Sequence, residues 1–248
     1  MYNPWIPGRR EGREKAGFRL FCFAHAGGGS SFFGKWKTEF GPEIEICPIL
    51  IPGRESRITE EPYRRIDDII DPLMCALSPE MNLPFALFGH SMGSILAFEV
   101  ARRATEKGLP LKTLMVSGRR APHLRMRRRP LHLLQGEEFL KAIKTLNGTP
   151  DDVFNNDELM KFFLPSLRAD IELNETYAPL TGKLLSCEVM AYMGEADSEV
   201  NPSELIAWRE LTSGNFKHHI LSGDHFYLQE NPDKLLSLMK KSLPAFQT

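Results

Sequence analysis

The chain has 248 residues, of which 42% are hydrophobic and 25% charged, and 31 Lys and Arg against 32 Asp and Glu leave a formal net charge of −1. That balance excludes a protein that works by a general electrostatic grip on nucleic acid, and no run approaches the roughly 18 apolar residues of a membrane-spanning helix. The polar opening segment lacks the apolar stretch of a secretory leader, and Cys22, Cys47, Cys75 and Cys187 form no CxxC, so a cytoplasmic monomer with buried free thiols is expected.

Residues 1–16 place Pro4, Pro7 and Gly8 among charges and read as a tail. A strand over 18–24 then runs into the turn His25-Ala26-Gly27-Gly28-Gly29. A second strand over 44–51 closes on Pro52-Gly53, and apolar positions at helical spacing predict a helix within 63–79 that Pro72 should kink or divide. The apolar segment 84–88 reads as a buried parallel strand, followed by a helix from Met92 to about Lys107 with Gly108 at its end. A strand at 111–117 precedes a mostly helical stretch, 119–180. The strand–helix alternation resumes with a strand at 187–193, a helix near 202–211, a strand at 216–221 and a helix over 232–243. This order predicts an α/β fold, a mostly parallel sheet with helices on both faces. Its core is 17–118 and 181–248, and 119–180 is a helical insertion read as a lid.

Gly89-His90-Ser91-Met92-Gly93 is a G-x-S-x-G pattern lying between a strand and a helix, the setting of a nucleophile elbow. The sharp turn strains the serine backbone and demands small neighbours, which Gly89 and Gly93 supply. A serine hydroxyl needs a base, and in this fold the order along the chain is serine, acid, histidine. His225 sits in a turn between the last strand and the last helix. His218 and His219 face opposite sides of a strand, His123 and His132 lie in the insertion, and His90 is in the elbow itself. For the acid, Asp197 follows the strand 187–193, with Glu195 and Glu199 as close rivals and Asp170 as a more distant one. The glycine-rich turn after the first strand answers the need for an oxyanion hole, through the N–H groups of Ala26 and Met92. GxGxxG, GxxxxGK[ST] and HExxH do not occur, so no cofactor and no metal are expected.

Several segments in this order resemble the type II thioesterases: His25-Ala26-Gly27-Gly28, Leu50 to Arg57, Phe88 to Gly93, Ser117 to Pro122, Leu164 to Asp170 and Gly223 to Leu228. These are stand-alone α/β-hydrolases that accompany polyketide and nonribosomal peptide synthases, with a relative that ends medium-chain fatty acid synthesis. The likeness runs from about residue 17 to 243. It implies a triad of Ser91, Asp197 and His225, oxyanion N–H groups from Ala26 and Met92, and a mobile lid over an acyl pocket. It places Asp197 ahead of Asp170. The chain departs from the family at Ala24 and Asn147, and at Ser198 beside the acid, where proline is common.

The expected reaction is hydrolysis of acyl groups from the phosphopantetheine arm of an acyl- or peptidyl-carrier protein, clearing stalled or aberrant groups. The alternatives are a chain-terminating medium-chain hydrolase, a small-molecule carboxylesterase, and an acyl-transferring partner. Arg119, Arg120, Arg125, Arg127, Arg128 and Arg129 open the insertion with no acid between them. Arg127, Arg128 and Arg129 are candidates for docking an acidic carrier, against a plain solvated face. Phe139, Phe154, Phe162, Phe163 and Leu167 could line an acyl channel, although helical spacing more often means core packing.

Overall fold

The apolar runs pair edge to edge in a computed structural model, which describes residues 2–8, 13–127, 129–146, 148, 154, 156–178, 182–230 and 232–243. The strands are β1 (Phe18–Phe23), β2 (Ile44–Pro48), β3 (Phe85–His90), β4 (Leu111–Ser117), β5 (Glu188–Gly194) and β6 (Phe216–Leu221). They lie in the order β2-β1-β3-β4-β5-β6, every neighbouring pair parallel. A parallel sheet needs both faces covered, and here alternate residues feed two cores. Phe21 and Phe23 of β1 point into one and Leu20 and Cys22 into the other.

The first core is closed by α2 (Ile66–Leu77), through Ile66, Ile69, Ile70 and Leu73, and by α3 (Met92–Glu106), through Ile95, Leu96 and Val100. The second is closed by Phe33, by Trp36 from the short α1 (Trp36–Glu39) and by Leu235, Leu236 and Met239 of the final helix. Pro72 does not divide α2, which runs unbroken through it. Pro72 and Asp68, whose carbonyl loses its donor, both face solvent, so water can replace the missing bond. On the same helix Cys75 is exposed, while Cys22, Cys47 and Cys187 are buried as expected. Leu73, Met74 and Leu77 take the inward positions and turn Cys75 outward.

Between β4 and β5 run α4 (Gly136–Lys144) and α5 (Asp157–Thr176). Phe139, Ile143, Leu167 and Ile171 give this connection a small core of its own. The expected helix at 202–211 is instead α6 (Pro202–Ile206), opened by an Asn201–Glu204 capping box, followed by a 3₁₀ turn at Ala207–Leu211. Within that tighter turn Trp208 is fully buried and its Nε1–H donates to the Arg119 carbonyl at 2.8 Å, a tertiary contact that overrides helical continuity. The last described helices are α7 (Tyr227–Glu230) and α8 (Pro232–Ser242). Among the described residues, no helix is long and apolar enough to cross a membrane.

Candidate active site

Strand β3 delivers the chain into α3 through Ser91, whose backbone sits at φ 54° and ψ −115°, a left-handed conformation costly for a residue with a Cβ. The flanking glycines are obligatory on steric grounds. A Cβ on Gly89 would lie 2.1 Å from the Gly93 carbonyl oxygen, and one on Gly93 would lie 2.2 Å from that of Phe23. The turn is pinned from β4, where the Ser117 carbonyl accepts the Ser91 N–H at 2.8 Å. Ser94 reinforces it, donating its hydroxyl to the carbonyls of Gly89 at 2.8 Å and Ser117 at 3.1 Å. Met92 is the first residue of α3, so its N–H is one of the helix's unclaimed donors.

His225 and Asp197 lie beyond the carboxyl ends of β6 and β5. The His225 Nδ1–H donates to both carboxylate oxygens, at 2.9 and 3.0 Å, because a carboxylate can only accept. Asp197 is buried at its side chain and also accepts the Glu199 N–H at 2.8 Å, which fixes the carboxylate plane. The rival acids are placed differently, Glu199 alone of the three lining the cavity that Ser91 and His225 share. Glu195 is exposed and accepts the Ser222 hydroxyl, Glu199 meets Asp197 through its backbone, and Asp170 is paired with Arg54. Gly194 permits the approach of the two loops, since a Cβ there would fall 2.1 Å from the Asp224 carbonyl oxygen.

Ser91, His225, His25 and Ala26 line one cavity, together with Gly118, Arg119 and Arg120 from the loop after β4. Ile143, Leu146, Leu167 and Ile171 of the β4–β5 connection give it an apolar wall. The space reachable by a water molecule's centre is about 60 Å³, enough for a few waters. Ala26 enters from the glycine-rich turn, where Gly27 adopts φ 78°. His123 pairs with Glu210 and His132 with Glu175, away from the cavity, and His218 and His219 lie on β6. Among the described residues, no cluster of His, Cys, Asp and Glu could hold a metal ion.

Two further histidines pack around His225 and stay neutral. Burial, then the neighbouring His225, pushes His25 down to about 4, with partial opposition from its contact to the Ala26 carbonyl and from Asp170. His90 is held well below the ordinary imidazole range by burial and by the charges His225 and His25 would carry. Its ring centroid is 5.0 Å from that of His225. His90 Nδ1 meets Ser117 Oγ at 2.9 Å, and Ser117 Oγ meets the Tyr227 hydroxyl at 2.7 Å, a buried chain under the site. Burial raises the Tyr227 phenol, so it remains a neutral partner. Gly118 makes room for both imidazoles: a Cβ there would lie 2.7 Å from His90 Cε1 and 3.0 Å from His225 Cε1. The sequence does not predict this packing: Ser117 and Tyr227 stand in the family-like segments, but nothing in the spacing says that they touch.

Of the candidate docking arginines, Arg127 is half-exposed, forms an ion pair with Glu204 at 2.8 Å and donates to the Glu199 carbonyl at 3.2 Å. Arg129 is exposed and Arg128 lies outside the described residues. Among the candidate channel residues, Leu167 lines the cavity and Phe163 covers Gly27. Phe139 is core, with Arg168 stacked on its face, Phe154 packs on the same small cluster, and Phe162 is 71% exposed.

Residues 18–243 match the family described as thioesterase domain. The chain is 39% identical over 229 residues to the gramicidin S biosynthesis protein GrsT of Aneurinibacillus migulanus, covering 92% of this chain and 90% of that one. It is 35% identical over 223 residues to the medium-chain S-acyl fatty acid synthase thioesterase of Rattus norvegicus, covering 87% and 83%. The solved type II thioesterase BorB from the borrelidin cluster superposes with a TM-score of 0.88 at 34% identity, over 98% of this chain and 97% of that one. The chain is therefore a hydrolase of thioesters, a member of the thioesterase domain family.

Proposed function

We propose that the protein frees acyl groups from the phosphopantetheine arm of an acyl- or peptidyl-carrier protein in polyketide or nonribosomal peptide synthesis. The observation that carries this reading is a strained serine at the head of α3 sharing one cavity with a histidine already oriented by a buried carboxylate. In the reaction, His225 Nε2 takes the Ser91 proton as Oγ attacks the thioester carbonyl, and the N–H groups of Ala26 and Met92 receive the oxyanion. The C–S bond then breaks and the thiol departs with the proton from His225. A thiol of pKa near 8.5 leaves readily, so acid assistance matters less than for an oxyester. Water next attacks the acyl-enzyme, His225 takes its proton, and the free acid leaves as Ser91 regains its hydrogen. Asp197 keeps the imidazole in the required tautomer throughout.

We read 119–180 as the lid of this site. The narrowness of the cavity, about 60 Å³ to a water molecule's centre, supports a lid in which α4 and α5 shift to admit a long acyl chain. Carrier docking falls on Arg129 and, outside the described residues, Arg128; Arg127 joins only by releasing Glu204.

The test is hydrolysis of one acyl group presented on a carrier protein, on free pantetheine and as an oxyester. The wild type should prefer the carrier thioester, and Ser91→Ala should lower kcat by about 10⁴–10⁶. Near-normal turnover by Ser91→Ala would overturn the mechanism, and a preference for the oxyester would favour the carboxylesterase alternative.

A further inference from the structure

A buried ion pair outside the triad reaches the oxyanion turn directly. Arg54, in the loop after β2, grips Asp170 of α5 with two parallel hydrogen bonds of 2.7 Å, and their side chains are only 7% and 1% exposed. The pair also holds the turn that carries Ala26. Asp170 Oδ2 accepts the Gly27 N–H at 2.7 Å, and Arg54 Nη1 donates to the Gly28 carbonyl at 3.1 Å. Two further side chains of α5 close on the same glycine. A Cβ on Gly27 would lie 2.7 Å from Phe163 Cζ and 3.2 Å from Leu167 Cδ1. Positions 163, 167 and 170 form one stripe of the helix, so α5 meets the turn through a ring, a methyl group and a carboxylate in succession.

A charge pair this deeply buried is costly to desolvate and gives weak evidence of stability by itself. Its geometry has a more specific consequence. Oxyanion donors act only when they aim at the position the oxygen will take, and an error of a few tenths of an ångström weakens them. From these contacts we infer that Arg54 and Asp170 are positioning residues. They set the Ala26 N–H against Ser91, so the placement of the helix roofing the cavity determines whether the oxyanion hole is assembled. Neither side chain needs to touch substrate. The inference rests on the roles proposed above for Ser91 and Ala26.

The experiment compares Asp170→Asn, which keeps the shape, with the double variant Arg54→Met/Asp170→Leu, which leaves no orphaned charge. Arg64→Ala is the control, because it cuts another tie of α5 to the sheet domain, the 2.8 Å pair with Glu172, without reaching Gly27. Rates are taken per active site, titrated with a fluorophosphonate, so loss of folded protein does not count. Both test variants should lower kcat about 10- to 100-fold with KM within threefold. They should weaken a trifluoromethyl ketone, whose tetrahedral adduct places an oxygen in the hole, by the same factor as kcat/KM. Arg64→Ala should stay within twofold of wild type on every measure. Full kcat in the test variants, a change confined to KM, or an equal loss in Arg64→Ala would overturn the inference. Failure of the underlying reading looks different: wild type would then resist the ketone, or Ser91→Ala would remain active.

Discussion

At the scale of single residues, Ser91 bears the cost of its own placement. Its φ of 54° is a conformation that only glycine adopts freely, and such strain is worth about 1–3 kcal/mol. Replacing it should separate stability from activity. Ser91→Gly should be inactive yet unfold in urea with a free energy higher by about 1 kcal/mol, after the added chain entropy of glycine is subtracted. An unchanged or lower value would mean that the turn is not strained. Asp197 shows the opposite arrangement, since its backbone relaxes into an ordinary loop while its carboxylate is fully committed to His225 and to the Glu199 N–H.

At the scale of elements, the crossing of β1, β3 and α3 leaves no room for a side chain at position 93. Gly93→Ala should lower the unfolding free energy by at least about 2 kcal/mol, because its Cβ would meet backbone oxygen rather than a movable side chain. A variant as stable as wild type would show that α3 can slide along the sheet. The elements were legible to the extent that they obey local rules. All six strands and the strand–turn–helix around Ser91 follow from apolar runs and turn residues within a few positions of one another. Where distant groups decide, the sequence is silent. Pro72 stays inside α2 because solvent satisfies its orphaned carbonyl, and Trp208 tightens the end of a predicted helix by bonding to Arg119. Arg54 sits in a segment that resembles the family, yet its partner Asp170 is 116 positions away, and only folding shows that they are a pair. By sequence Asp170 is a distant rival for the acid, within the insertion, and the guanidinium beside it gives it other work.

At the scale of the molecule, the site lies within a core that resists protonation. Folded His25 stays neutral down to about 4, whereas an unfolded histidine takes up a proton below about 6.5. The unfolded chain therefore binds more protons in that window, so stability rises with pH and is lost as pH falls from about 6.5 toward 4. His25 alone should contribute a slope of about 1.4 kcal/mol per pH unit there. Unfolding free energies measured at several pH values, for wild type and His25→Asn, test this. The variant should show the shallower slope, and parallel lines would mean that His25 is accessible to protons in the native state.

The small core of Phe139, Ile143, Leu167 and Ile171 is distinct from the two that flank the sheet, although α5 also sends Leu173 into the first of them, and this arrangement has a thermodynamic consequence. A unit with few buried residues of its own can open subglobally, at a cost below that of unfolding the whole chain. If α5 also sets the oxyanion turn, opening that unit exposes the serine and disarms it in one motion. An acyl-enzyme would then be attacked by water only under a seated roof, and an empty, gaping enzyme would be a poor hydrolase of whatever thioester drifts past.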